Sequence, residues 1–380
     1  MSTTRLNAHQ STLDNLTLAR KEGFFAFAEA PAPRPPERLT RAGLQKLCEP
    51  ALADYNARRR SWHANLGPLR TPQLADVHEQ LWDIVDSNDQ TGDKPKSAVA
   101  IDGFPGLGKT TAALAFARDF HRREIAERGA QTPEGNQRIP VCRVGLTGNT
   151  GMVDFNRAML EYFGHPGTKR GTAPQLAHRA LDCVRTCETR LLMIDDLHFL
   201  HWRNAQGVEI SNHFKYIANE FPVTIIYIGV ELDNRGLFSE GSTYQNPIIA
   251  QTGRRTTKLT MESFPVKEPE ERKRWRDLLL SLEQRIVLAD SHPGMLADEL
   301  SDYLYARSSG HIGSLTTLVN RGCQRAVRTG AERLTQDLLD RVKNDEASER
   351  AREELQTAIR SGNLTTRISH RAKRIKDRSS

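Results

Sequence analysis

The sequence predicts an α/β protein in which a parallel five-stranded sheet forms a nucleotide-binding core and a helical lid follows it. Three observations carry this expectation. Five short apolar runs alternate with longer amphipathic stretches between Ser97 and Met261, a glycine-rich loop ending in Lys109-Thr110 joins one such run to a helical stretch, and only helical periodicity continues beyond Pro265. Alternating strand and helix patterns fit a parallel, doubly wound sheet, because each parallel connection must cross over through a helix.

The five expected strands are residues 98–101, 141–144, 191–194, 223–228 and 258–261. Their ligand should sit at the carboxyl ends, where open α/β sheets bind. Residues 1–40, with Ala30-Pro31-Ala32-Pro33-Arg34-Pro35-Pro36, read as a flexible arm of extended backbone. Residues 41–95 read as an amino-terminal helical module anchored by Tyr55, Trp62 and Trp82 around the turn-like Gly67-Pro68-Leu69-Arg70-Thr71-Pro72. The core should then cover 96–265, and the lid 266–345, with helices near 268–289, 295–306, 312–329 and 335–343. Residues 346–380 complete the chain as a helix and a basic tail, whose Arg367, Arg371, Lys373, Arg374, Lys376 and Arg378 face only Asp377. Such a tail is either a solvated end or a contact for nucleic acid or a partner protein.

A net charge of +7 and a pI near 9.2 favour an anionic partner without identifying it. Cys48, Cys142, Cys183, Cys187 and Cys323 are odd in number and lack the spacing of a zinc site or disulfide framework, so they read as core thiols in a reducing cytoplasm. No metal is expected at Cys183 and Cys187. The chain has no secretory signal pattern and no apolar run approaching the ~18 residues of a membrane span, so no membrane association is expected.

Gly103-Phe104-Pro105-Gly106-Leu107-Gly108-Lys109-Thr110 is a complete phosphate-loop pattern, and Thr111-Ala112-Ala113-Leu114 leaves it as a helix. Glycines let the backbone curl so that its N–H groups and the helix dipole face phosphate. Gly103, Pro105, Gly106, Gly108, Lys109, Thr110 and Thr111 are accordingly the candidate ATP-binding residues. Lys109 brings a charge to the β- and γ-phosphates, and Thr110 offers its hydroxyl to Mg2+. Leu191-Leu192-Met193-Ile194-Asp195-Asp196 is an apolar strand delivering two carboxylates at its end. Asp195 would join Thr110 in holding magnesium, and Asp196 would polarise the attacking water.

These motifs, with Asp195-Asp196-Leu197-His198 after a strand and a helical lid, resemble the AAA+ ATPases. Ser309-Gly310-His311-Ile312-Gly313-Ser314-Leu315, followed by Leu318, Val319, Gly322, Cys323, Ala326, Val327 and Gly330, is similar to the lid of the TniB and TnsC transposition regulators, as is the segment 67–72 upstream. The resemblance covers about residues 55–342. It implies an ATPase that forms a homo-oligomeric ring or filament on target DNA and recruits or activates a transposase, with a target-selection protein as a further partner. It also implies an arginine reaching the neighbour's γ-phosphate, and Arg254 or Arg255, just before the last strand, matches that position.

Departures from the AAA+ pattern bear on turnover. Asp196 stands where many of these enzymes have glutamate, one methylene longer, so hydrolysis is expected to be slow. Gly313 occupies the place of a sensor arginine, and Glu231 is the nearest polar residue after the fourth strand, where a capping or surface role is an equal reading. His198, Trp202 and Arg203 are equally readable as packing residues. Two other readings stay open: a nucleotide-binding oligomerisation switch in signalling or defence, and a module that binds ATP without hydrolysing it.

Overall fold

The computed structural model describes residues 17–90, 96–147, 150–197, 205–232 and 255–368, with the side chains of 205–211 excepted. His198, Trp202, Arg203, Arg254 and the basic residues beyond Ile368 lie outside the described residues. The chain divides into two compact units. The first comprises Met1–Pro31, Asp76–Phe104 and Lys109–Met261; the second comprises Ala32–Ala75, Pro105–Gly108 and Glu262–Ser380.

In the first unit five parallel strands, β1 (Ala98–Asp102), β2 (Val141–Gly145), β3 (Leu191–Asp195), β4 (Thr224–Ile228) and β5 (Thr256–Thr260), form one sheet in the order β2-β3-β4-β1-β5. Every residue of β1, β3 and β4 is buried, as expected for strands covered on both faces by helices. The fifth strand starts two residues earlier than its apolar residues suggest. Thr256 and Thr257 pair with Ala98 and Val99 in the ladder, and their half-exposed setting at the sheet edge accounts for the polar sequence.

The helices of this unit are α1 (Lys21–Glu29), α4 (Pro72–Ser87), α5 (Lys109–Arg128), α6 (Met152–Phe163), α7 (Ala173–Thr186) and α8 (Ala205–Glu220). Helix α1 departs from the extended arm expected over residues 1–40. Phe24 and Ala28, one turn apart, are both fully buried, and Phe24 packs edge-on against His121. Arg122 fixes the end of the helix by donating to Ala28 O at 2.6 Å and Ala30 O at 2.7 Å. Proline content dominates the composition of this region, but two correctly spaced apolar residues suffice to anchor nine residues as a helix. Residues 31–40, proline-rich as they are, have no regular secondary structure.

The second unit holds α2 (Arg41–Gln45), α3 (Glu49–Ala64), α9 (Pro269–Glu283), α10 (Ser301–Ser308), α11 (Ile312–Thr329), α12 (Gln336–Asp340) and α13 (Glu346–Arg360). Trp275, Leu279, Leu282, Leu304, Leu315 and Leu318 form the centre of its apolar core. The first two lid helices are shorter than their periodicity suggests. The Glu283 carboxylate ends α9 and accepts from the amides of Gly294 at 2.7 Å and Leu296 at 2.8 Å. Residues Met295–Glu299 then wind as one wide π-turn before α10. A buried network pins the intervening segment to α3: Arg59 donates to both oxygens of Glu332, at 2.6 and 2.8 Å, and His63 Nε2 accepts from the Val287 amide at 3.0 Å.

All five cysteines are free thiols, and no described helix is long and apolar enough to cross a membrane. Burial and the Arg59 charge hold His63 down to about 4, so the folded state keeps this ring neutral. Protonation of the unfolded chain therefore costs stability as pH falls from the ordinary histidine range toward 4. Substituting His63→Gln should destabilise at pH 7, and by linkage about 2 kcal/mol of that deficit relative to wild type should vanish at pH 5. Urea denaturation at the two pH values measures it; a deficit independent of pH would refute the neutral buried histidine.

Candidate nucleotide site

The phosphate loop leaves the end of β1 and enters α5, so its curvature is set by a buried strand on one side and a helix N-terminus on the other. Gly106 and Gly108 adopt φ of 78° and 87°, a conformation that a side chain strains. A β-carbon on Gly106 would meet nothing within 4 Å, so backbone conformation, not crowding, requires glycine there. Lys109, the first residue of α5, is buried and donates through Nζ to Gly103 O and Phe104 O, both at 2.7 Å. Burial lowers its pKa, while Asp102, Asp195 and Asp196 act to raise it. An ammonium held against the carbonyls of its own loop is placed to exchange them for phosphate oxygens.

Asp195 ends β3 and is buried. Its Oδ1 accepts from the Thr110 hydroxyl at 3.2 Å and from the Asp196 amide at 3.0 Å, and its Oδ2 accepts from Arg143 Nη2 at 2.7 Å. The chain turns out of the strand at Asp196 with φ of 61°, the left-handed region that aspartate tolerates better than most residues. The structure thus brings Lys109, Thr110, Asp195 and Asp196 to one end of the sheet.

A magnesium–nucleotide complex suits this donor set. Among the described residues no cluster of three histidine, cysteine or acidic groups could hold a metal alone. Thr110 and Asp195, a hydroxyl and one carboxylate in contact, instead match a cation that takes its remaining ligands from phosphate and water. Pro105, Gly106 and Thr111 are exposed along the same loop and helix start, and Gly103 is half-buried.

The other candidate residues are placed differently. Arg255 is exposed before β5 and donates to Asn219 Oδ1 at 3.0 Å on α8 of its own chain. Glu231 is exposed with φ of 53°, in a turn held instead by Asp102, whose Oδ1 accepts from both Gly103 N at 2.8 Å and Leu232 N at 3.2 Å. In the second unit the Gly313 amide donates to Gly106 O at 2.8 Å, and a β-carbon at 313 would lie 2.7 Å from that oxygen. The backbone contact, not a lost arginine, accounts for glycine at this place.

Asp102 and Arg143 escaped the reading of the sequence. Each had a signal: Asp102 is an acid closing an apolar strand directly ahead of Gly103, and Arg143 is a cation within the apolar run of β2. Strand register explains the reach of Arg143, since parallel pairing sets it beside Met193 and sets Gly145 beside Asp195. A guanidinium two residues back along the neighbouring strand can then span to the carboxylate.

A phosphate loop, a strand-end acid pair and the order β2-β3-β4-β1-β5 define an AAA+ P-loop NTPase fold. The same architecture is found in the Aeropyrum pernix ORC2 protein (ADPNP–ADP complexes), at TM-score 0.56 and 15% identity over 76% of this chain and 72% of that one. The A. pernix ORC1 protein in complex with DNA matches at TM-score 0.55 and 16% identity, over 81% and 73% of the two chains. Cdc6p from Pyrobaculum aerophilum gives 0.51 and 13%, over 72% and 67%. Residues 67–237 match the family model of the bacterial TniB protein. No curated protein matches the sequence.

Arg143 should therefore act on metal through Asp195. Replacing it as Arg143→Gln should raise the Mg2+ concentration for half-maximal nucleotide binding about tenfold, as loss of an outer-shell partner does at other metal sites. Binding of nucleotide without metal should not change. Titration of a fluorescent nucleotide at several Mg2+ concentrations checks this, and an unaltered Mg2+ midpoint would remove Arg143 from the site.

Proposed function

We propose that this protein is an ATP-dependent, DNA-binding regulator of DNA transposition that oligomerises on target DNA and recruits or activates a transposase. The observation that carries the reading is a coincidence of position. The TniB match over 67–237 contains the whole phosphate loop at 103–110 and the acid pair at 195–196. Nucleotide and DNA are also the ligands named for the two ORC neighbours, and we assign the same classes here.

Within one subunit the work divides by residue. Lys109 takes the β- and γ-phosphates in place of the loop carbonyls, and the amides at the start of α5 face the same charge. Thr110 and Asp195 hold magnesium, which when bound offsets the phosphate charge. Asp196 accepts a hydrogen bond from water and orients it toward the γ-phosphate. Its short side chain makes turnover slow, which suits a timer that holds an assembly better than a motor.

Arg254 and Arg255 are assigned to the γ-phosphate of the adjoining subunit. An arginine supplied from a neighbour can accelerate hydrolysis by about 10³-fold or more, so activity becomes contingent on assembly.

Two measurements test the reading. The Lys109→Ala variant should lose ATP-dependent assembly on DNA in sedimentation, whereas Asp196→Asn should still assemble and release phosphate at least tenfold more slowly. Equal phosphate release by Asp196→Asn and wild type would remove the water-orienting role. A wild type that binds ATP and never releases phosphate would favour the non-hydrolysing module.

The composite site has its own test. Arg254→Ala/Arg255→Ala should bind ATP through its own phosphate loop without hydrolysing it. Mixed with Lys109→Ala it should recover activity, because one interface then pairs an intact loop with intact arginines. Co-assembly without recovery would overturn the shared site.

A further inference from the structure

Helix α11, Ile312–Thr329, contains three arginines and no acidic residue. Leu315, Leu318, Val319, Gly322, Cys323, Ala326 and Val327 turn one side of it into the core. The opposite side carries Thr317, Asn320, Arg321, Gln324, Arg325 and Arg328. Arginines at i, i+4 and i+7 share one face, and the first and last stand about 10 Å apart along the helix axis.

Two contacts extend this face beyond α11. Gln324 Nε2 donates to Arg60 O at 2.8 Å, which sets Arg60 of α3 beside the middle of the helix. Arg321 Nη1 donates to Lys343 O at 2.8 Å, which sets Lys343 beside its first arginine. Arg60, Arg321, Arg328 and Lys343 are exposed, and Arg325 is half-buried. Among the described residues none of these five cations pairs with a carboxylate, whereas Arg41 pairs with Asp290, Arg58 with Asp54 and Arg333 with Glu299. Asp345, which meets Ser314 in the first turn of α11, is occupied with that hydroxyl and with capping α13 through the Ser348 amide.

We propose that this face, Arg60 with Arg321, Arg325, Arg328 and Lys343, is a docking surface for the phosphate backbone of duplex DNA. Five like charges held together without counter-charges repel one another in the free protein, and a polyanion relieves that repulsion while releasing its own condensed counterions. Amide and hydroxyl side chains between the arginines suit phosphate oxygens, which such groups commonly contact. An axial reach of about 10 Å spans about three phosphate steps of one strand, at 3.4 Å of axis per phosphate. The surface offers no aromatic platform for unstacked bases, which argues for a duplex over a single strand. Contacts of this kind fix position without reading sequence.

The inference rests on the DNA-binding part of the proposed function and adds a place for it outside the basic tail. The test is fluorescence anisotropy of the full chain with two unrelated duplexes across a salt series. Arg321→Gln/Arg325→Gln/Arg328→Gln should weaken binding at least tenfold at about 100 mM salt, equally for both duplexes, and should lower the salt slope by about two to three, at 0.9 per lost phosphate contact. Arg60→Gln/Lys343→Gln, on other elements, should weaken it in the same sense, which separates charge loss from damage to α11. Unchanged affinity and slope in both variants, with wild-type binding intact, would overturn this face and leave the DNA reading standing. A wild type without DNA affinity would overturn both, and tighter binding to single-stranded RNA of equal length would overturn the duplex assignment.

Discussion

A carboxylate buried at the end of β3 must be partnered on both oxygens, and much of the site follows from that one requirement. Leaving such a charge without hydrogen bonds would cost several kcal/mol. Asp195 meets the requirement with Thr110 and the Asp196 amide on one oxygen and Arg143 on the other. Thr110 can reach it only because α5 begins where the loop from β1 ends, and β1 is separated from β3 by β4 alone. Arg143 can reach it only because β2 pairs with β3 in parallel register. Three strands and one helix are thus coupled through a single side chain.

The same logic separates what the sequence made legible from what it hid. Five strands could be read because buried parallel strands are written as short apolar runs, and the phosphate loop because its glycines answer to backbone conformation. Both signals are local. The bond from Arg143 to Asp195 joins residues 52 positions apart, and the clamp of Asp102 on Leu232 joins residues 130 apart. Neither residue type is unusual where it stands, so only the register of the sheet reveals the partner. Helix α1 was hidden for a different reason: Phe24 to Ala28 form one unbroken apolar run, in which no helical periodicity stands out against the neighbouring prolines. The split of residues 295–308 into a π-turn and a helix likewise depends on Glu283, which no local pattern announces.

Gly313 shows how an apparent loss can be a structural requirement. Where many AAA+ lids have an arginine, the backbone of 313 lies against the carbonyl of Gly106 with no room for a side chain. The carbonyl of Gly106 accepts a hydrogen bond from the Gly313 amide of α11, so its orientation has a backbone partner within the same unit. With no side chain at position 313, the proposed shared site draws its arginine from another segment, which is why the proposal turns on Arg254 and Arg255.

The positive charge of the chain is better understood by where it is left unbalanced than by its sum. A few arginines are held inside: Arg59 and Arg307 are fully buried, the first closed by Glu332 and the second by Glu349, Tyr303 and two backbone carbonyls. Those residues fasten α3 and α13 to their neighbours and contribute nothing to a long-range field, since each is neutralised locally. The arginines of α11 differ in kind. They stand on a rigid helix whose other face is core, so their spacing is fixed before any ligand arrives and little side-chain order remains to be imposed on binding.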